Sequence, residues 1–63
     1  MNFVEGQRYR IHFPGDNADW LFTYIRRYNH ADGRVEHCFH DDGQVEMSIA
    51  DVDLQQCRVQ AVA

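Results

Sequence analysis

Clusters of turn-forming residues divide this chain at regular intervals, and that punctuation constrains its fold more than any other feature. The clusters are Pro14-Gly15-Asp16-Asn17, Asn29-His30-Ala31-Asp32-Gly33 and Asp41-Asp42-Gly43-Gln44. The last contains an Asp-Gly pair, the dipeptide favoured in tight hairpins. Between the clusters lie short segments rich in aromatic and β-branched residues. They alternate with period two, the spacing of half-buried strands. Only 63 residues are divided in this way. A chain of that size forms one domain with a small core. It has no room for a nucleotide-binding α/β fold or a deep enclosed active site.

The alternation assigns faces. In Arg8–Phe13, the side chains of Tyr9, Ile11 and Phe13 share one side, and Arg8, Arg10 and His12 share the other. From Arg34 to His40, Val35, His37 and Phe39 oppose Glu36, Cys38 and His40. Val45, Met47 and Ile49 are expected to point inward, and Arg58–Val62 reads as a fifth strand. The segment Asp51–Gln56 is too short for an independent helix. It reads as a single 3₁₀ turn whose Val52 and Leu54 plug the core. The second strand, Trp20–Ile25, differs from the rest. Trp20, Phe22 and Tyr24 form one stripe, and Leu21, Thr23 and Ile25 form another. A small sheet buries one face. Either a bent, barrel-like strand covers both stripes, or one stripe is presented outward to a partner or to a second copy. The expected fold is all-β and five-stranded, with one 3₁₀ turn before the last strand. Residues 1–63 form a single domain, with 1–5 and 62–63 as loose termini.

Six arginines, no lysine and ten acidic residues give a net charge of −4. That balance argues against a protein built mainly to coat nucleic acid. A hydrophobic content of 44% is too high for a disordered tail. The charge is polarised along the chain. Arg26, Arg27, Tyr28 and Arg34 surround the second turn, a composition that suits RNA or DNA binding by phosphate contacts and base stacking. Asp41, Asp42, Asp51 and Asp53 gather later, and suit an acidic inhibitor or antirepressor that occupies a basic surface of a partner.

Histidines and a cysteine also cluster, at His30, His37, Cys38 and His40. The paired spacings of zinc sites are absent. Neighbouring strand residues diverge, so His37 and Cys38 do not form a thiolate–imidazole pair. No catalysis, metal or cofactor is expected. Residues Met1–Gly6 lack a basic region followed by an apolar run, and no apolar stretch is long enough to span a bilayer. The expected location is cytoplasmic, with Cys38 and Cys57 as reduced thiols.

Five short strands with one turn of helix before the last describe an SH3-like small barrel, and parts of the chain resemble the Tudor group of that superfold. Val35–Glu46 looks like the Tudor strand, hairpin and acidic strand start. Ile49-Ala50-Asp51-Val52-Asp53-Leu54 is similar to the family segment that ends in Asp-Leu. Gly6 and Trp20-Leu21-Phe22 also fit. The resemblance implies a non-catalytic module with an aromatic cage for methylated Lys or Arg, held by cation–π attraction. Phe13 and Phe39 stand at cage positions, with Asp42 in place of the hairpin Tyr, Gln44 in place of the Asn and Leu21 in place of the strand-two aromatic. The expected function is a small protein-interaction module, homodimeric through Trp20, Phe22 and Tyr24. Phe13, Phe39 and Asp42 complete the partner-binding residues.

Overall fold

A computed structural model describes residues 2–63. Five strands form one antiparallel sheet: β1 (Arg8–His12), β2 (Trp20–Asn29), β3 (Val35–His40), β4 (Glu46–Ala50) and β5 (Arg58–Val62). Their order is β4-β3-β2-β1-β5, so the chain meanders through four strands and returns to place the fifth beside the first. The all-β reading is correct. The sheet is open, however, with β4 and β5 as unpaired edges, where a closed barrel would join them.

Local chemistry sets the turns. The amide of Asp16 donates to the Phe13 carbonyl at 3.1 Å, and Gly15 has φ +81°. Pro14 and Gly15 thus occupy the two central positions of a type II turn, where proline's fixed φ and glycine's freedom are each required. The third turn departs from the sequence expectation. The amide of Gln44 donates to the Asp41 carbonyl, and the left-handed residue is Gln44, φ +65°, not Gly43. The Asp-Gly pair therefore lies inside a four-residue turn instead of forming a two-residue hairpin.

The segment before β5 is one turn of α-helix, α1 (Asp51–Leu54), where the sequence predicts a 3₁₀ turn. The Gln55 amide reaches back four residues to the Asp51 carbonyl. The next two amides, Gln56 and Cys57, reach back only three. The helix starts with α spacing and tightens as it ends. Leu54 is fully buried, whereas Val52 projects into solvent, 67% exposed. One helical turn can aim only one of these two side chains at the sheet.

The core is Tyr9, Ile11, Phe22, Tyr24, Phe39 and Leu54, with Phe3, Phe13, Met47, Ile49, Cys57 and Val59 packed around it. On β2 the inward stripe is the Phe22–Tyr24 side, while Leu21, Thr23 and Ile25 are half-covered on the outer face. Val45, expected inward, is exposed and precedes β4. The N-terminal segment, expected to be loose, closes one end of the core. Phe3 stacks on Tyr24 with ring centroids 5.0 Å apart and meets Tyr9 edge-on at 4.9 Å. The Val4 amide donates to the Tyr9 hydroxyl at 2.8 Å. At the other terminus Val62 pairs with Arg8, and its carbonyl accepts from the Gln7 side chain. A short chain has too few core residues to leave Phe3 in water.

β2 runs four residues beyond Ile25, further than its apolar stretch predicts. Its pairing with β3 shifts by one residue between Tyr24 and Arg26, a β-bulge. A bulge exchanges faces for everything that follows it. After it, Arg26 lies opposite Cys38 on the outer face, and Arg27 lies opposite His37 on the inner one.

Candidate functional site

The inner face has two ends with different fates. At one end His37 is 1% exposed and fully bonded. Its Nδ1 lies 3.0 Å from the Tyr24 hydroxyl and its Nε2 lies 2.7 Å from Asp51 Oδ1. The arrangement is satisfied when Nε2–H donates to the carboxylate and the Tyr24 hydroxyl donates to Nδ1. The Gln55 side-chain Nε2 donates to Asp51 Oδ2 at 2.8 Å. These hydrogen bonds, the one from His37 first and that from Gln55 second, hold the Asp51 carboxyl below its ordinary range. Burial pushes the Tyr24 hydroxyl up. The chain Tyr24–His37–Asp51 ties α1 to β2 and β3 under the lid of Phe3. Sequence distance hides it, because Asp51 meets His37 only through the β3–β4 register and the helical turn that follows.

At the other end a groove of about 440 Å³ stays open. Phe13, Trp20, Phe22, Met47 and Ile49 supply its apolar lining, and Asp16 and Asp41 also line it. Trp20 is 48% exposed yet held. Its indole N–H donates to Asp16 Oδ2 at 2.8 Å, and its ring stacks on Phe22 at 6.5 Å with an interplanar angle of 6°. Asp41 Oδ1 accepts from the Val45 amide at 2.9 Å. Each carboxylate keeps lone pairs beyond the one it uses. The groove is therefore an apolar slot with fixed negative charge at its rim. Asp16 is absent from the sequence-based candidates, and Asp41 enters them only as part of the acidic surface. The signal for Asp16 is its place four residues before Trp20, directly after the Pro14-Gly15 turn.

Of the predicted partner-binding residues, the groove brings together Phe13, Trp20 and Phe22, while Tyr24, Phe39 and Asp42 lie outside it. Trp20 is presented, but Phe22 and Tyr24 are buried in the core, which leaves one member of the expected self-association stripe at the surface. Phe39 is fully buried at the centre of the core and cannot wall an open cage, and Phe13 is half-buried at the groove. Asp42 faces away, with the Arg8 guanidinium donating to it at 3.1 Å. Packing demands of a small core took the aromatics that a cage would need.

The predicted nucleic-acid residues are also divided. Arg26 and Tyr28 lie on the outer face beside Cys38, while the bulge sends Arg27 to the inner side. Arg27 donates to Asn29, and Arg34 pairs with Asp32 at 2.8 Å. Tyr28 packs edge-on against His30, whose ring nitrogen contacts Glu36. Of the predicted acidic surface, Asp41 and Asp42 belong to the β3–β4 turn, whereas Asp51 and Asp53 belong to α1 and Asp51 is engaged by His37.

The remaining histidine and cysteine groups have local partners. His40 Nδ1 donates to the Asp41 carbonyl, Cys38 Sγ lies 3.4 Å from Ser48 Oγ, and Cys57 Sγ donates to the Asp53 carbonyl. Among the described residues, no three His, Cys, Asp or Glu side chains come together as a metal-ligand set. No helix of the described residues is long and apolar enough to cross a membrane. Comparison with known proteins returned no matching family model, no matching curated protein and no matching solved structure.

Proposed function

We propose that this chain is a non-catalytic protein-interaction module that takes a short partner segment into the groove between Phe13, Trp20 and Met47. One observation carries the reading: Trp20 is half-exposed but pre-positioned by Asp16 and Phe22. An aromatic already fixed in its bound geometry loses little entropy on binding, which is the property of an interface anchor. The segment it suits is apolar with an adjacent positive charge. Apolar side chains fill the slot, and a cation on the open face of the indole is attracted both by the ring and by the rim carboxylates. A second copy of this chain suits the rim poorly, because the chain carries a net charge of −4. The SH3-like, Tudor-like reading draws support from the return of β5 beside β1 and from the single helical turn before it. A cytoplasmic setting is proposed with it, supported by two cysteines that bond to different local partners.

Trp20 is the only tryptophan, so its fluorescence reports on the groove alone. Titration with short peptides that combine apolar and basic residues is expected to change its emission saturably, and acidic counterparts are expected to leave it unchanged. Trp20→Ala should stay folded and, in a titration followed by peptide anisotropy, lose at least tenfold in affinity. Peptide binding that persists in that variant overturns the reading.

A further inference from the structure

A second concavity, of about 450 Å³, lies on the other side of β1 and is lined by Arg10, His12, Asp19, Arg58, Val59 and Gln60. Strand register builds it. Arg10 stands opposite Gln60 and His12 opposite Arg58 in the antiparallel β1–β5 ladder. Since Tyr9 and Ile11 face the core, period two sends Arg10 and His12 to the outer face, with Gln60 and Arg58 beside them. Arg10 and Arg58 are thus diagonal neighbours across the ladder, roughly 7–8 Å apart at the backbone and within mutual reach of their long side chains.

Two like charges so placed repel unless something neutralises them. Arg8 and Arg34 each have a carboxylate, but among the described residues no ion pair involves Arg10 or Arg58. Asp19 is the one acid lining the concavity, and it is turned to His12, whose Nδ1 lies 2.7 Å from Asp19 Oδ1. That contact fixes the imidazole and leaves its Nε2 without a protein partner among the described residues. The inventory facing a ligand is dominated by donors, two guanidinium forks and the Gln60 NH2 group, and the His12 Nε2 joins them when the imidazole is protonated. A charged group rich in acceptors complements it, and the planar fork of arginine matches phosphate oxygens two at a time.

We propose that Arg10, Arg58, Gln60 and His12 form a binding site for a single phosphate group, either free phosphate or one phosphodiester of a nucleic-acid strand. This site differs from the Arg26–Arg34 region that composition alone points to, and it does not rest on the groove reading. It places an anion site on an otherwise acidic protein, on the face opposite the groove.

The test is a ¹H–¹⁵N NMR titration of the full chain with inorganic phosphate at low salt. Saturable shifts are expected at Arg10, His12, Arg58 and Gln60, with the groove amides unchanged. The double variant Arg10→Gln/Arg58→Gln should weaken binding at least tenfold while keeping a folded spectrum, since both side chains are exposed. Arg34→Gln should bind as the unaltered chain does. A parallel titration with a short single-stranded oligonucleotide separates the two sources. Binding at least tenfold tighter than inorganic phosphate, lost in the double variant, assigns a nucleic-acid backbone; equal or weaker binding assigns free phosphate. The proposal falls if no saturable shift occurs with either probe, or if the double variant binds as well as the unaltered chain. It also falls if an acidic peptide without phosphate binds these residues more tightly than either probe.

Discussion

The two ends of the inner face use the same device to opposite effect. At each, an aspartate holds an aromatic or imidazole ring by its N–H: Asp51 holds His37, and Asp16 holds Trp20. At the His37 end, Phe3 from the N-terminus and Leu54 from α1 cover the rings, and the result is a covered polar chain that reaches water only at Asp51. At the Trp20 end, among the described residues, no terminal segment or helix lies over the rings, and the result is a groove. The difference lies in the cover and not in the anchoring. A ring pinned under a lid contributes to stability, whereas a pinned ring without a lid is available to a partner.

That contrast breaks if the covered end proves dispensable. His37→Ala removes a fully buried ring and leaves the Tyr24 hydroxyl and the Asp51 carboxylate without their partner. It should cost about 3 kcal/mol, from cavity formation plus unpaired polar groups, measured by urea unfolding. Phe3→Ala removes the lid and should cost about 2 kcal/mol, less than for a fully buried Phe because Phe3 is half-buried. It should also speed amide exchange around His37 and leave the groove unchanged.

Acid titration sharpens the same contrast. The Asp51 carboxyl is held below its ordinary value of 3.8. A carboxyl depressed by folding adds stability above that ordinary value, and the addition is lost as pH falls through the folded value. Asp51→Asn should therefore be about 1 kcal/mol less stable at neutral pH, the net scale of one partly solvated hydrogen bond, and the gap should narrow as pH falls below 3.8 towards the lower folded value. A gap that persists undiminished in acid would show that Asp51 acts through shape and not through charge. The smallest expected effect is at the open end, where Trp20→Ala should change stability by under about 1 kcal/mol, as for other exposed positions outside the core.

Period two made most of the architecture legible. Tyr9 and Ile11 point inward as their alternation with arginine requires, and all five strands lie where the turn clusters place them. The bulge after Tyr24 escaped, because no glycine or proline marks it; it arises from fitting β2 to β3 and to the Gly6–Gln7 segment, whose backbone bonds Tyr24 on both its amide and its carbonyl. Phe3 escaped because a lone aromatic has no period. In the site, Trp20 was readable as an exposed aromatic, but its neighbours Phe22 and Tyr24 were assigned to the same surface. Alternation says which residues share a face and is silent on how far along the strand the cover extends. Arg10 was readable as outward-facing, yet its proximity to Arg58 depended on β5 returning to β1, a topological fact that no local spacing encodes.

The bulge at Ile25 gives β2 a change of reading frame. Upstream of it, even positions belong to the interior; downstream, odd positions do. Deletion of this single residue would turn the ladder regular and leave Arg26 to Asn29 on their present faces, whereas a bulge-free strand that kept Ile25 would swap every one of them between water and core side. The faces taken by the second-hairpin side chains are therefore set by whether one extra peptide unit is accommodated at Ile25, and not only by which residues the hairpin carries.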